Sequence, residues 1–257
     1  MSETVRSNEY FISSEDGYKD RYLIEYPSNG VSDLLVLYLH SGLFHAEQAF
    51  CDKNAWCFGD LRDEVMHRRG VYVSPEYRGD SWLNAATEAD LVKLINHIKE
   101  QLGVSKVILT GSSMGATAAL VFASHHPELV NGVIALCPAT DMRELYRDMK
   151  SRKGLLYNAI AKSISLAYGG TPEDIPHEYT FRSSIEHTTN LRMPVVLRHG
   201  VDDEILTPDH SRSLVSALKL QGTPVFYDEI PGGNHSSPTI CTPWGDYFDF
   251  VLDSAQK

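Results

Sequence analysis

The fold of this chain is decided by residues 106–124, which read KVILTGSSMGATAALVFAS. The first five residues have the apolar, β-branched character of a buried strand, and the alanine-rich second half is typical of a closely packed helix. Between them lies a Gly-x-Ser-x-Gly pattern centred on Ser113. A strand–turn–helix junction of this kind strains the serine backbone and exposes its hydroxyl above the sheet edge. We therefore predict that Ser113 is a nucleophile and that Gly111 and Gly115 leave room for the turn.

The rest of the chain alternates short apolar runs with helical patterns. This alternation predicts an α/β fold with a mostly parallel sheet of eight strands and helices on both faces. The predicted strands are 10–13, 22–26, 34–39, 71–74, 106–110, 133–137, 195–197 and 225–227. The predicted helices are 88–102, 114–124, 155–166 and 208–220.

One segment interrupts the alternation. From Arg143 to about His187 there is no strand-like run. We predict a small helical cap at 143–187, inserted between two core strands of a single domain that spans 1–257. The alternative is a long peripheral crossover with no role in substrate choice.

The serine hydroxyl needs a base to take its proton. Of the eleven histidines, His235 follows the last predicted strand in the glycine-rich stretch PGGNH. Such a loop can bring an imidazole over the sheet edge, so His235 is the predicted base. His40 and His199 also end strands, and we expect supporting roles for them.

The base in turn needs a carboxylate to fix its tautomer. Three acids follow the strand at 195–197, within the stretch HGVDDEILTP. We predict Asp203, with Asp202 second and Glu204 third.

Negative charge that develops on a substrate carbonyl needs fixed N–H donors. The first predicted donor is the backbone N–H of Met114, at the start of a helix. The second should come from the loop after the strand LLVLYL, where we favour Leu43 and place Gly42 close behind. The alternative for this loop is an ordinary turn between a strand and a helix.

Charge and composition narrow the classes of partner. The 257 residues carry a formal net charge of −11, with 42% hydrophobic and 22% charged residues. An acidic surface repels phosphate backbones and anionic lipids, so we expect no nucleic acid and no membrane as partner. A neutral or positively charged small molecule fits better. A homodimer is compatible with the sequence but is not demanded by it.

The four cysteines form no Cys-x-x-Cys pair, which disfavours a structural zinc site. Cys51 and Cys57 are near enough in sequence to bridge, but reduced thiols are the simpler expectation. The N-terminus lacks the apolar core of a secretory signal, and no apolar run reaches the length of a membrane span. These features predict a cytoplasmic protein, with a mature fragment of a secreted protein as the alternative.

The order Ser113, Asp203, His235 resembles the α/β-hydrolase superfamily. Within it, the chain is similar to the catalytic domain of the prolyl oligopeptidase family and to dienelactone-hydrolase-like esterases. Besides the nucleophile motif, the stretches that carry the resemblance are PEYRGDSW (75–82), YGGTPEDIPHEYTFRSSIEH (168–187), HGVDDEILTP (199–208) and GGNH (232–235). The resemblance implies a Ser-His-Asp acyl-enzyme mechanism without metal or cofactor. It also adds Asp141 as an alternative acid, because some relatives place the carboxylate after the preceding strand.

Three departures from the family pattern refine this expectation. The chain has no room for the large propeller that restricts oligopeptidases to short peptides. The oxyanion loop reads His40-Ser41-Gly42 instead of His-Gly-Gly, and the nucleophile is serine rather than the cysteine of dienelactone hydrolase. We therefore predict a serine esterase that acts on small carboxylic esters. The alternatives are a peptidase or amidase on short substrates and a non-catalytic binding protein.

Overall fold

The computed structural model describes residues 3–50 and 58–254, in which eight strands form one sheet. The strand order is β1-β2-β4-β3-β5-β6-β7-β8, with β1 and β2 antiparallel to their neighbours and all other pairs parallel. This arrangement confirms the predicted mostly parallel sheet. The strands are β1 (Thr4–Ile12), β2 (Lys19–Pro27), β3 (Leu34–Leu39), β4 (Val71–Pro75), β5 (Lys106–Ser112), β6 (Gly132–Leu136), β7 (Val195–Gly200) and β8 (Val225–Ile230).

Helices cover both faces of the sheet. The helices are α1 (Phe58–His67), α2 (Ala85–Leu102), α3 (Met114–His125), α4 (Met142–Ser151), α5 (Leu155–Tyr168), α6 (Pro176–Phe181), α7 (Asp209–Leu220) and α8 (Trp244–Ser254). Apolar side chains of α1 and α8 pack together on one face, and those of α2, α3 and α7 pack on the other. Strands β3, β4 and β6 are buried along their whole length, as expected where helices cover both sides.

Close packing between β3 and α3 depends on glycine. A Cβ atom built on Gly115 would lie 1.9 Å from the carbonyl oxygen of Leu39, and one on Gly111 would lie 2.6 Å from the same oxygen. Neither distance is compatible with a real side chain, so the predicted need for these two glycines is confirmed. The first turn of α3 is thereby held directly beneath the end of β3.

All eight predicted strands are present, mostly with longer bounds. Four helices, α1, α4, α6 and α8, were not predicted. In α4 and α8 the signal was present, since buried residues recur there at i, i+3, i+4 and i+7. In α4 strongly polar residues lie between them, and in α8 the pattern is short and follows a proline-rich turn. Helices α4, α5 and α6 occupy most of the segment that was predicted as a cap.

The structure tests two further expectations, on the cysteines and on membrane spans, only in part. Cys51 and Cys57 lie outside the described residues, whereas Cys137 and Cys241 are free thiols. Within 3–50 and 58–254, no helix is both long enough and apolar enough to cross a bilayer.

Candidate active site

Ser113 lies at the turn between β5 and α3. Its backbone has φ 55° and ψ −119°, a conformation that residues with a Cβ rarely adopt. The Ser113 N–H donates to the carbonyl of Leu136 on β6 at 2.8 Å, which holds the turn against the neighbouring strand. The strain is thus maintained by the sheet, and it leaves the hydroxyl at the carboxyl edge of the strands.

His235 and Asp203 converge on this hydroxyl. The Nε2 atom of His235 lies 3.1 Å from the Oγ of Ser113, and its Nδ1 lies 2.7 Å from the Oδ2 of Asp203. The Asp203 side chain is fully buried, whereas the imidazole keeps 18% of its surface exposed. Both distances are within hydrogen-bond range, so the three side chains form a continuous hydrogen-bonded relay. His235 lies 122 positions from Ser113 and 32 positions from Asp203 in the sequence.

The carboxylate of Asp203 is held on both oxygens. Oδ1 accepts the N–H groups of Ile205 and Leu206 at 2.8 and 2.9 Å, and Oδ2 also lies 3.1 Å from the Nε2 of His199. Burial raises the pKa of Asp203, but the hydrogen bonds with His199 and His235 outweigh it and hold that pKa well below its usual range. Asp203 is therefore a fixed negative charge beneath His235.

The competing acids lie elsewhere. Asp202 and Glu204 are exposed, and neither carboxylate is hydrogen-bonded to His235. Asp141 is the N-cap of α4, where its carboxylate accepts the N–H groups of Arg143 and Glu144 at 2.9 and 3.0 Å. Of the four candidates, the structure brings Asp203 alone to His235.

Cys137 is a neighbour that the sequence analysis did not assign to the site. It follows β6, is buried, and its Sγ lies 3.5 Å from the carbonyl oxygen of His235. A metal-ligating atom of Cys137 lies within 4.8 Å of such atoms of Asp203 and His235. The carboxylate and the imidazole are already hydrogen-bonded to each other at 2.7 Å, an arrangement that orients the ring of His235 toward Ser113.

The electrostatics of His235 predict the pH dependence of activity. Burial lowers the pKa of His235, but the charges and hydrogen bonds of Cys137 and Asp203 outweigh it and raise that pKa above its ordinary value of 6.5. A base must be unprotonated to accept the serine proton, so activity is present above this pKa and is lost as the pH falls through it. We expect the acidic limb of kcat/KM to have its midpoint above pH 6.5. A midpoint well below that value would show that Cys137 and Asp203 do not stabilise the protonated form of His235.

The oxyanion donors differ in part from the expectation. The N–H of Met114, in the first turn of α3, donates to no acceptor among the described residues. The N–H of Leu43, in contrast, donates to the Oδ1 of Asp80 at 2.8 Å. In this conformation Leu43 cannot also donate to a substrate oxygen, so the preference for Leu43 over Gly42 needs correction. The Gly42 N–H has no hydrogen bond to a described residue.

The unusual serine of the oxyanion loop has a structural partner. The hydroxyl of Ser41 lies 2.5 Å from the Oγ of Ser112, the residue before the nucleophile, and the Ser41 N–H donates to the side chain of Gln48 at 2.8 Å. The loop is thus fixed to the end of β5. This contact gives the hydroxyl of Ser41 a structural role in the loop.

A mainly apolar pocket opens over Ser113. It is lined by residues of the oxyanion loop and the start of α3, and by Leu156, Ala159, Ile160 and Ser163 of α5. These four positions share one face of the helix because they are spaced by three or four residues. The Nε1 of Trp82 donates to the Oγ of Ser163 at 2.9 Å, which ties α5 to the core beside the pocket.

Comparison with known proteins places this site in a family. The sequence model of the prolyl oligopeptidase family (Peptidase_S9) matches residues 64–242, which include Ser113, Asp203 and His235. The chain belongs to the prolyl oligopeptidase family. The resemblance predicted from the motifs is therefore confirmed.

Curated relatives with similar sequence are named as peptidases. An uncharacterized peptidase of Bacillus subtilis (strain 168), YtmA, is 24% identical over 224 residues, which cover 77% of this chain and 84% of that protein. A proline iminopeptidase of Neisseria gonorrhoeae is 42% identical over 99 residues, 38% of this chain and 31% of its own length. The chain thus matches only about a third of the iminopeptidase.

Solved structures share the fold. A structure of S-formylglutathione hydrolase from Agrobacterium tumefaciens superposes with a TM-score of 0.71 at 15% identity, covering 98% of this chain and 96% of that one. A structure from a study of two prolyl endopeptidases gives a TM-score of 0.68 at 15% identity, covering 98% of this chain but 39% of its own. At these identities the likeness concerns the fold, which is that of the α/β hydrolases.

Proposed function

We propose that this member of a serine hydrolase family cleaves small carboxylic esters, with Ser113 as nucleophile, His235 as general base and Asp203 as the orienting acid. The observation that carries the proposal is the relay itself, with bonds of 3.1 and 2.7 Å beneath an apolar pocket. A nucleophile, its base and the group that orients the base are thereby within hydrogen-bond reach.

In the proposed mechanism, His235 takes the proton of Ser113 through Nε2 while the oxygen attacks the ester carbonyl. The negative charge of the tetrahedral intermediate is stabilised by hydrogen bonds from the N–H groups of Met114 and Gly42, which have no partner among the described residues. The imidazolium, stabilised by Asp203, then protonates the leaving alcohol. Water repeats the sequence and releases the acid, so the serine is regenerated.

The pocket favours a small acyl group. The α5 residues Leu156 and Ile160 add apolar lining to the pocket that contains Ser113, and this supports the proposal that the segment 143–187 acts as a cap that shapes substrate choice. We propose a small organic ester as the ligand of this pocket, and neither nucleic acid nor a membrane as a partner. We also propose that the protein works in the cytoplasm.

A second candidate is a peptidase or amidase on short substrates. It is favoured by the membership of the prolyl oligopeptidase family and by relatives that are named peptidase and iminopeptidase. The relay serves both reactions, because an amide passes through the same kind of tetrahedral intermediate.

A substrate panel separates the two candidates. We expect kcat/KM for p-nitrophenyl acyl esters of two to six carbons to exceed that for the p-nitroanilides of the same acids by about 100-fold or more, since p-nitrophenol is the easier leaving group. The Ser113→Ala variant supplies the background rate. A higher kcat/KM on the anilides would favour the peptidase. No turnover of either class, together with no fluorophosphonate labelling of Ser113, would favour a non-catalytic binding protein.

A further inference from the structure

The charge distribution of the pocket is one-sided. Among the pocket-lining side chains of the described residues, Asp80 is the single acid, and neither lysine nor arginine is present. The rest of the lining is apolar or neutral apart from His235. Asp80 is only partly buried, so water can solvate its carboxylate, and a ligand that displaces this water is bound best when it supplies an opposite charge.

No side chain of the described residues supplies that charge. The Oδ1 of Asp80 accepts the Leu43 N–H, and its Oδ2 accepts no hydrogen bond from a described residue. The nearest cation in sequence, Arg78, is already committed to Asp16 and to Asp90, with three bonds of 2.7 to 2.9 Å. The carboxylate therefore keeps one oxygen for a ligand.

Asp80 lies close to Gly42 and Met114, whose N–H groups are the proposed oxyanion donors. A Cβ atom built on Gly42 would lie 3.8 Å from the Oδ1 of Asp80 and 3.9 Å from the Cβ of Met114. The carboxylate is thus less than about 8 Å from the residue whose N–H faces the nascent oxyanion. At this distance it opposes the negative charge that develops on a neutral substrate. A cation on the substrate, placed between the two, would remove that repulsion.

We propose that Asp80 is a specificity-determining residue that binds a protonated amine on the acyl part of the substrate. The substrate class is then esters, or amides, of acids that carry an ammonium group close to the scissile carbonyl, as aminoacyl groups do. This inference rests on the proposed serine hydrolase function and names its substrate class. The net charge of −11 agrees with it, since an acidic protein attracts cationic ligands.

The test compares two matched esters and two matched variants. Alanine benzyl ester carries the ammonium, and benzyl isobutyrate has a methyl group in its place. In Asp80→Asn the side-chain oxygen still accepts the Leu43 N–H while the charge is removed. Asp202→Asn removes one charge from an exposed side chain that does not line the pocket.

The measured quantity is the ratio of kcat/KM for the alanine ester to that for the isobutyrate. We expect a ratio well above one for the wild type and for Asp202→Asn, and a fall of about 10- to 100-fold in Asp80→Asn. A wild-type ratio near one overturns the proposal. An equal loss on both esters in Asp80→Asn also overturns it, because Asp80 then only positions the oxyanion loop.

Failure of this inference is distinguishable from failure of the proposed function. Fluorophosphonate labelling of Ser113 and turnover of benzyl isobutyrate report on the hydrolase itself and do not require an amine. If both are present while the ratio is near one, the serine hydrolase stands and the assignment of Asp80 falls. If both are absent and the alanine ester is not cleaved, the proposed function falls with it.

Discussion

Replacing Ser113 by alanine is expected to lower kcat/KM for p-nitrophenyl acetate by about 10⁵- to 10⁶-fold. The reason is that no other group can form the acyl-enzyme, whereas the pocket and the N–H donors, which remain, supply only a small residual acceleration. The measurement is steady-state hydrolysis, accompanied by labelling with a fluorophosphonate probe, which should be lost completely.

The fold of Ser113→Ala should be preserved, which makes the result interpretable. Among the described residues, the Ser113 Oγ has one hydrogen bond, to the Nε2 of His235, and alanine keeps the Cβ atom that serine also carries at this strained backbone position. We expect the thermal midpoint to change by no more than a few degrees. A variant that melts like the wild type and keeps more than about 1% of its activity would remove Ser113 from the role of nucleophile.

Replacing Asp203 by asparagine is expected to lower kcat/KM near pH 7 by about 10⁴-fold. The asparagine oxygen can still accept the N–H groups of Ile205 and Leu206, so its NH₂ group is directed toward His235. That amide donates to Nδ1 and forces the imidazole proton onto Nε2. The ring then faces Ser113 with a donor instead of an acceptor and cannot take its proton.

The matched control for Asp203→Asn is Asp202→Asn. The neighbouring carboxylate is exposed and outside the relay, so we expect its removal to change kcat/KM by less than about threefold. The imidazole should also titrate at lower pH in Asp203→Asn, because the carboxylate that stabilises its protonated form is gone. A large loss in Asp202→Asn with near-normal activity in Asp203→Asn would transfer the orienting role to Asp202.

The nucleophile turn and the sheet could be predicted because they depend on local sequence. The turn requires glycine on both sides of the serine, and the structure shows why, since Leu39 lies where their side chains would be. Buried parallel strands similarly require unbroken apolar runs, which can be counted without knowing their neighbours. His235 belongs to the same class of prediction, because it follows the last strand in a glycine-rich loop and all such loops gather at one edge.

The choice among adjacent groups could not be predicted in this way. Asp202, Asp203 and Glu204 have similar chemistry, and only the turn that buries the second of them selects it. The N–H groups of Gly42 and Leu43 are likewise equivalent in sequence. Asp80, 37 positions away from Leu43, occupies one of them and leaves the other without a partner among the described residues.

The sequence by itself therefore determined the sheet, the strained serine and the loop that carries the imidazole, since each depends on short-range sterics and on the periodicity of apolar residues. The tertiary structure decided which carboxylate meets the imidazole, which of two neighbouring amides already has an acceptor, and that α5 lines the pocket. These outcomes depend on contacts between residues far apart in the chain, and on the buried hydrogen bonds that fix one of several chemically similar groups in a single position.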